Sequence, residues 1–74
     1  MQIHIKCFAT LAEYGPRDGT IEVPEGITLQ GVMEQLNMPQ EEVKLLFVNG
    51  KRADSKSVLH AGDRVGLFPP VGGG

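Results

Sequence analysis

Apolar and polar residues alternate at the start of the chain: Ile3, Ile5 and Cys7 fall on one parity, Gln2, His4 and Lys6 on the other. A period of two is that of a half-buried strand, so Met1 to Phe8 is expected to form one, with Phe8 placing an aromatic ring on the polar face. Ala9 to Tyr14 fits a helical turn, and Gly15-Pro16-Arg17-Asp18-Gly19 is turn chemistry leading into a second strand, Thr20 to Val23. The period then changes. Leu29, Val32, Met33 and Leu36 recur at helical spacing behind Thr28, a suitable N-cap, and Asn37 with Pro39 close behind marks the end near Leu36. Gly31 inside this helix costs about 1 kcal/mol relative to alanine, which points to close packing at that position.

Beyond the helix, Gln40 to Lys44 suits a short helical turn and Leu45 to Val48 is an apolar run compatible with a buried strand. Asn49-Gly50 is the strongest hairpin signal in the chain, with Lys51 to Ala53 as the return strand. Val58-Leu59 is a short apolar segment, and His60-Ala61-Gly62-Asp63 turns the chain into a last strand, Arg64 to Phe68. A hairpin, a crossover helix and further strands predict an α+β fold: a mixed sheet of four to five strands with one main helix on one face. A last strand parallel to the first, at the centre, would firmly anchor the residues after it.

Those residues are Pro69-Pro70-Val71-Gly72-Gly73-Gly74. The prolines fix φ near −65° and donate nothing to a ladder, which makes a stiff stalk. Glycine lacks Cβ and lets backbone approach another surface closely. At about 3.3 to 3.6 Å per extended residue, Pro69 to Gly74 spans roughly 20 Å. The expected division is a domain over 1–70 and a tail over 71–74, although an ordinary disordered end or a linker is glycine-rich too.

Composition narrows the function. Seventy-four residues make one small domain without room for an internal active site, and 41% hydrophobic with 22% charged residues is ordinary for a folded protein. Seven Lys and Arg stand against nine Asp and Glu, a net charge of −2, with the cations spread from Lys6 to Arg64. Nucleic acid is therefore not expected as a partner, and a partner with a basic docking surface is the better match to this net charge. One cysteine, Cys7, excludes an internal disulfide. No signal peptide or spanning apolar run is recognisable, so no membrane partner and a cytoplasmic location are expected.

Cys7, His4 and His60 are the residues an enzyme or metal site would draw on. Cys7 and His4 fall on opposite faces of the first strand, and no ligand spacing or orienting third group accompanies them. Neither a catalytic nor a metal site is expected, and Cys7 reads as a buried thiol.

Taken together, the first strand leading to Phe8-Ala9-Thr10-Leu11, the helix Thr28 to Leu36, Val48-Asn49-Gly50, Gly62-Asp63-Arg64-Val65, and Phe68-Pro69-Pro70-Val71 ahead of Gly73-Gly74 resemble the MoaD/ThiS-type sulfur carriers. These are ubiquitin-like β-grasp proteins, and the chain is most similar to the branch of the molybdopterin synthase small subunit. The resemblance implies that Gly74 is adenylated and then thiocarboxylated, to donate sulfur in molybdenum or tungsten cofactor synthesis. Val71, Gly72 and Gly73 would thread into a partner; Phe8, Phe68, Pro69 and Pro70 would dock it. The implied partners are an E1-like adenylating enzyme, the large subunit of molybdopterin synthase (or thiazole synthase) and a sulfur-donor system. Every catalytic residue would belong to them, with ATP consumed by the activating enzyme and no cofactor bound by this chain. Gly72 is similar to endings of the thiamine-thiazole branch, and the same tail would serve a ubiquitin-like protein modifier. A noncovalent β-grasp interaction module is the alternative that uses the sheet face alone.

Overall fold

The computed structural model describes residues 1–70. Five strands form one mixed sheet: β1 (Gln2–Cys7), β2 (Thr20–Glu22), β3 (Leu45–Val48), β4 (Lys51–Ala53) and β5 (Arg64–Phe68), in the order β2-β1-β5-β3-β4. β1 and β5 run parallel at the centre, with Ile5 opposite Val65 and Lys6 opposite Gly66. β3 pairs antiparallel with β5, placing Phe47 opposite Gly66 and Leu45 opposite Phe68. The final strand is thus flanked on both sides, as expected for the anchor of a presented segment.

One helix, α1 (Leu29–Gln35), covers one face. The Thr28 side chain accepts a hydrogen bond from the Gly31 N–H at 3.2 Å, and Asn37 takes φ 58° just past the last turn, the left-handed conformation that ends helices. Leu29, Val32 and Met33 are buried against Ile3, Ile5, Val65 and Leu67, with Leu36 half-buried beside them. Gly31 has a steric reason: a Cβ there would lie 2.7 Å from Cγ1 of Ile27.

Leu11 and Met38, in connections rather than in the periodic segments, complete this core with Val23 and Leu59. Leu11 belongs to a 3₁₀ turn, Ala9–Tyr14, that tucks under the end of β1. The Leu45 to Val48 run forms a strand as expected, with all four residues half-buried. Successive side chains of a strand alternate between its faces, so Leu46 and Val48 face the core while Leu45 and Phe47 face the side that no helix covers. The Asn49-Gly50 turn has positive φ at both positions, 53° and 82°, as a type I′ hairpin requires.

Candidate docking face and the exit of the C-terminal strand

Strand parity divides β5 between two tasks. Val65 and Leu67 point into the core, 3% and 0% exposed, leaving Arg64, Gly66 and Phe68 on the face that no helix covers. Direct pairing brings Lys6 and Phe47 beside Gly66, and His4 beside Arg64. Phe8 stays extended and donates its N–H to the Leu67 carbonyl at 3.0 Å, which lays its ring beside that of Phe68. The chain reverses immediately afterwards at Ala9, where φ is 52°, a left-handed conformation costing a non-glycine residue about 1 kcal/mol or more.

The outcome is an aromatic cluster on an open face. Phe8 and Phe68 stack with ring centroids 4.0 Å apart and planes 7° from parallel, and Phe47 meets Phe68 edge-on at 5.5 Å and 76°. The Lys6 ammonium lies over the Phe8 ring, 5.3 Å from its centroid. Gly66 is the floor of the cluster: a Cβ there would sit 3.6 to 3.8 Å from the rings of Phe68 and Phe8 and from Cβ of Phe47. A groove of about 570 Å³ runs over this surface between His4, Lys6, Phe8, Phe47, Arg64 and Phe68. Glycine inside a strand is the sequence signal for such a close approach, and Gly66 is what the periodicity alone left unassigned.

The exit of β5 is held from both sides. Beyond the Phe8 bond, the Lys44 N–H donates to the carbonyl of Phe68 at 2.8 Å. Pro69 is half-buried and Pro70 exposed. Nearby, the Tyr14 hydroxyl lies 3.3 Å from a carboxylate oxygen of Glu42, and partial burial together with that carboxylate pushes the phenol above its ordinary pKa. Phe8 and Phe68 therefore meet, with Pro69 and Pro70 just beyond them. Val71, Gly72, Gly73 and Gly74, expected to thread and to react, lie outside the described residues.

The other chemically capable side chains do not assemble. Among the described residues no three of His, Cys, Asp and Glu are grouped to hold a metal ion. His4 is exposed on the open face while Cys7 packs against the core from the opposite one. Cys7 is half-buried rather than buried, because Gly15, adjacent to its Sγ, leaves that edge of the core thin. Its burial still raises the thiol above the ordinary value, the direction of an unreactive sulfur.

At the other end of β5, Asp63 clips the hairpin. Its carboxylate accepts from Asn49 Nδ2 at 3.0 Å and from the His60 N–H at 2.8 Å, while Asn49 Oδ1 accepts from the Arg64 N–H. The Asn49 bond is the main reason that its pKa is lowered; partial burial opposes it and His60 reinforces it.

The model of the ThiS family matches residues 5–74. No curated protein matches the chain. Among solved structures, SAMP1 from Haloferax volcanii is similar with a TM-score of 0.75 and 24% identity, all of both chains being covered. A second H. volcanii structure, of small archaeal modifier protein 1, gives 0.73 and 25% over 95% of this chain and 98% of that one. A Pyrococcus furiosus structure assigned as molybdopterin converting factor, subunit 1 gives 0.73 and 27% over the same shares. The arrangement of helix and sheet is the ubiquitin-like β-grasp, as the α+β reading of the sequence anticipates.

Proposed function

Since the chain belongs to the ThiS family, we propose that it is a sulfur carrier serving molybdopterin synthesis, charged at the carboxylate of Gly74. The observation that carries the reading is the joining of an open aromatic face to a doubly anchored β5 that continues directly into Pro69-Pro70 and the glycines. The face supplies binding energy remote from the reacting atom, and the stalk directs a tail thin enough to enter a narrow channel. Binding at a remote surface holds a reacting carboxylate in position and so converts an encounter into an intramolecular step.

In the proposed cycle an E1-like enzyme binds the face through Phe8, Phe68, Pro69 and Pro70, while Val71, Gly72 and Gly73 thread. The Gly74 carboxylate attacks the α-phosphorus of ATP and releases pyrophosphate, leaving an acyl adenylate. A hydrosulfide-level sulfur nucleophile from a donor system then displaces AMP, and the thiocarboxylate delivers its sulfur on a synthase large subunit. A side chain at position 73 or 74 would obstruct both approaches. The catalytic groups and the ATP site belong to the partners, and this chain contributes the docking face and the acyl group. The similarity to the P. furiosus protein supports the molybdopterin branch over the thiazole one.

The test is intact mass after incubation with an adenylating enzyme, ATP and a sulfur donor. The expected product carries one oxygen-to-sulfur exchange at Gly74. Deleting Gly73 and Gly74 abolishes it while leaving folding and docking in place. If neither adenylate nor exchange forms with an enzyme competent on its own carrier, the reading is wrong. A second reading, conjugation to lysines, draws on the similarity to small archaeal modifier protein 1; isopeptide-linked Gly74 in cell extracts would establish it.

A further inference from the structure

The net charge of −2 conceals a segregation that appears only when the strands are paired. Lys6, Arg64 and His4 are exposed on the open face around the aromatic cluster, and Arg52 stands opposite Phe47 in register at its edge. The carboxylates nearest to this face are engaged by other donors: Asp18, in the turn beside β1, accepts from the Thr20 N–H at 3.2 Å, and Glu42 accepts from the Tyr14 hydroxyl at 3.3 Å. Glu22 reaches this side only at the outer strand, opposite Gln2, and the Asp63 carboxylate is engaged by Asn49 and the His60 N–H. Among the described residues the one contact within 4.0 Å between a basic side chain and a carboxylate is His60 with Asp63, at 3.9 Å. Lys6 and Arg64 thus have no carboxylate partner there. The expectation of a basic docking surface on the partner, drawn from net charge, is reversed locally.

Three occupants suit a cationic apolar face, and geometry separates them. A nucleic acid would need ring faces for base stacking, but Phe8 has Phe68 on one face and the Lys6 ammonium over its ring. A second copy packed about a twofold axis would set Lys6 and Arg64 against a like-charged surface. An apolar depression edged by acidic side chains matches both the rings and the cations.

We propose that this face docks a protein surface in which an apolar depression receives the Phe8–Phe68–Phe47 cluster and flanking carboxylates pair with Lys6 and Arg64. This rests on the carrier reading and specifies the partner surface it requires. The cations sit at the rim, where charge governs encounter rate and specificity more than final affinity. Like-sign surfaces on other proteins are rejected, which suits a carrier that must find its own partners.

The probe is an adenylating enzyme that activates the wild-type chain by intact mass, with association followed by stopped flow. The Lys6→Glu, Arg64→Glu double variant is expected to associate about tenfold or more slowly at about 10 mM salt, where charges act over roughly 30 Å. Raising the salt should slow wild type and not the variant. Lys6→Arg with Arg64→Lys should retain wild-type association. Circular dichroism and the urea midpoint establish that each variant is folded. Equal association rates and salt slopes for wild type and the reversed variant overturn the proposal while leaving the carrier reading intact; failure to activate wild type overturns the carrier reading itself. Binding to polyuridylate or to phosphatidylserine vesicles that the reversal abolishes, without effect on the enzyme, overturns it in favour of a polyanion. A wild-type dimer that the reversal dissociates does so in favour of a second copy.

Discussion

Substituting Gly66 by alanine separates what the open face does for folding from what it does for docking. Gly66 is outside the left-handed region that favours glycine, so alanine adopts its backbone conformation without strain. The new methyl meets the rings of Phe68 and Phe8 and the Cβ of Phe47 at 3.6 to 3.8 Å, ordinary van der Waals distances. Removing glycine from the unfolded chain is worth about 0.4–1 kcal/mol, and a half-buried methyl adds a fraction of the roughly 0.8 kcal/mol of a fully buried one. Gly66→Ala should therefore stabilise the domain by about 0.5–1.5 kcal/mol, with each kcal/mol raising Tm by about 4–8 °C in a domain of this size. The same methyl stands on the groove floor, where overpacking a fitted contact costs about 1–3 kcal/mol. Affinity for the activating enzyme should fall by about 5- to 150-fold. Urea unfolding gives the first quantity, read as a higher midpoint at unchanged slope; titration calorimetry gives the second. A destabilised variant would show that the three rings cannot admit a methyl. Unchanged affinity in a stabilised variant would show that no partner group reaches the groove floor.

Packing and charge give two further outcomes. Gly31→Ala should lower stability despite a helix-propensity gain of about 1 kcal/mol, because the new methyl would lie 2.7 Å from Cγ1 of Ile27; in an Ile27→Ala background the same change should become stabilising, and additive urea midpoints would refute the contact. Asp63 has a lowered pKa in the fold, so its contribution is complete above the unfolded carboxylate value of about 3.9 and is lost as pH falls through the lower folded value. Unfolding free energy measured down that acid range should fall less steeply in Asp63→Asn than in wild type, and parallel curves would show that the Asn49 clip has no energetic role.

Local signals carried much of the architecture. The alternation of Ile3 and Ile5, the spacing of Leu29, Val32 and Met33, the Thr28 cap and the Asn49-Gly50 turn each work within a few residues, and each appears in the structure as expected. Leu11 and Met38 carry no periodic signal, and their burial comes from connections folding back on the sheet. Phe8 was identifiable as an aromatic on the polar parity of its strand and Phe68 by its place ahead of the proline pair, whereas the role of Gly66 depended on which strands pair with β5.

The sequence by itself determined the elements, the apolar face that each presents, and a C-terminal run of prolines and glycines that donates little to a ladder and carries little side chain. Those properties depend on neighbours along the chain, at periods of two and 3.6. The charge of the candidate docking face was decided only in three dimensions. Lys6 and Arg64 are far apart in sequence, and their shared surface exists because β1 and β5 pair in parallel, with Lys6 opposite Gly66 and His4 opposite Arg64. Net charge sums over the chain, but a partner meets one face of it, and strand register determines which charges that face carries.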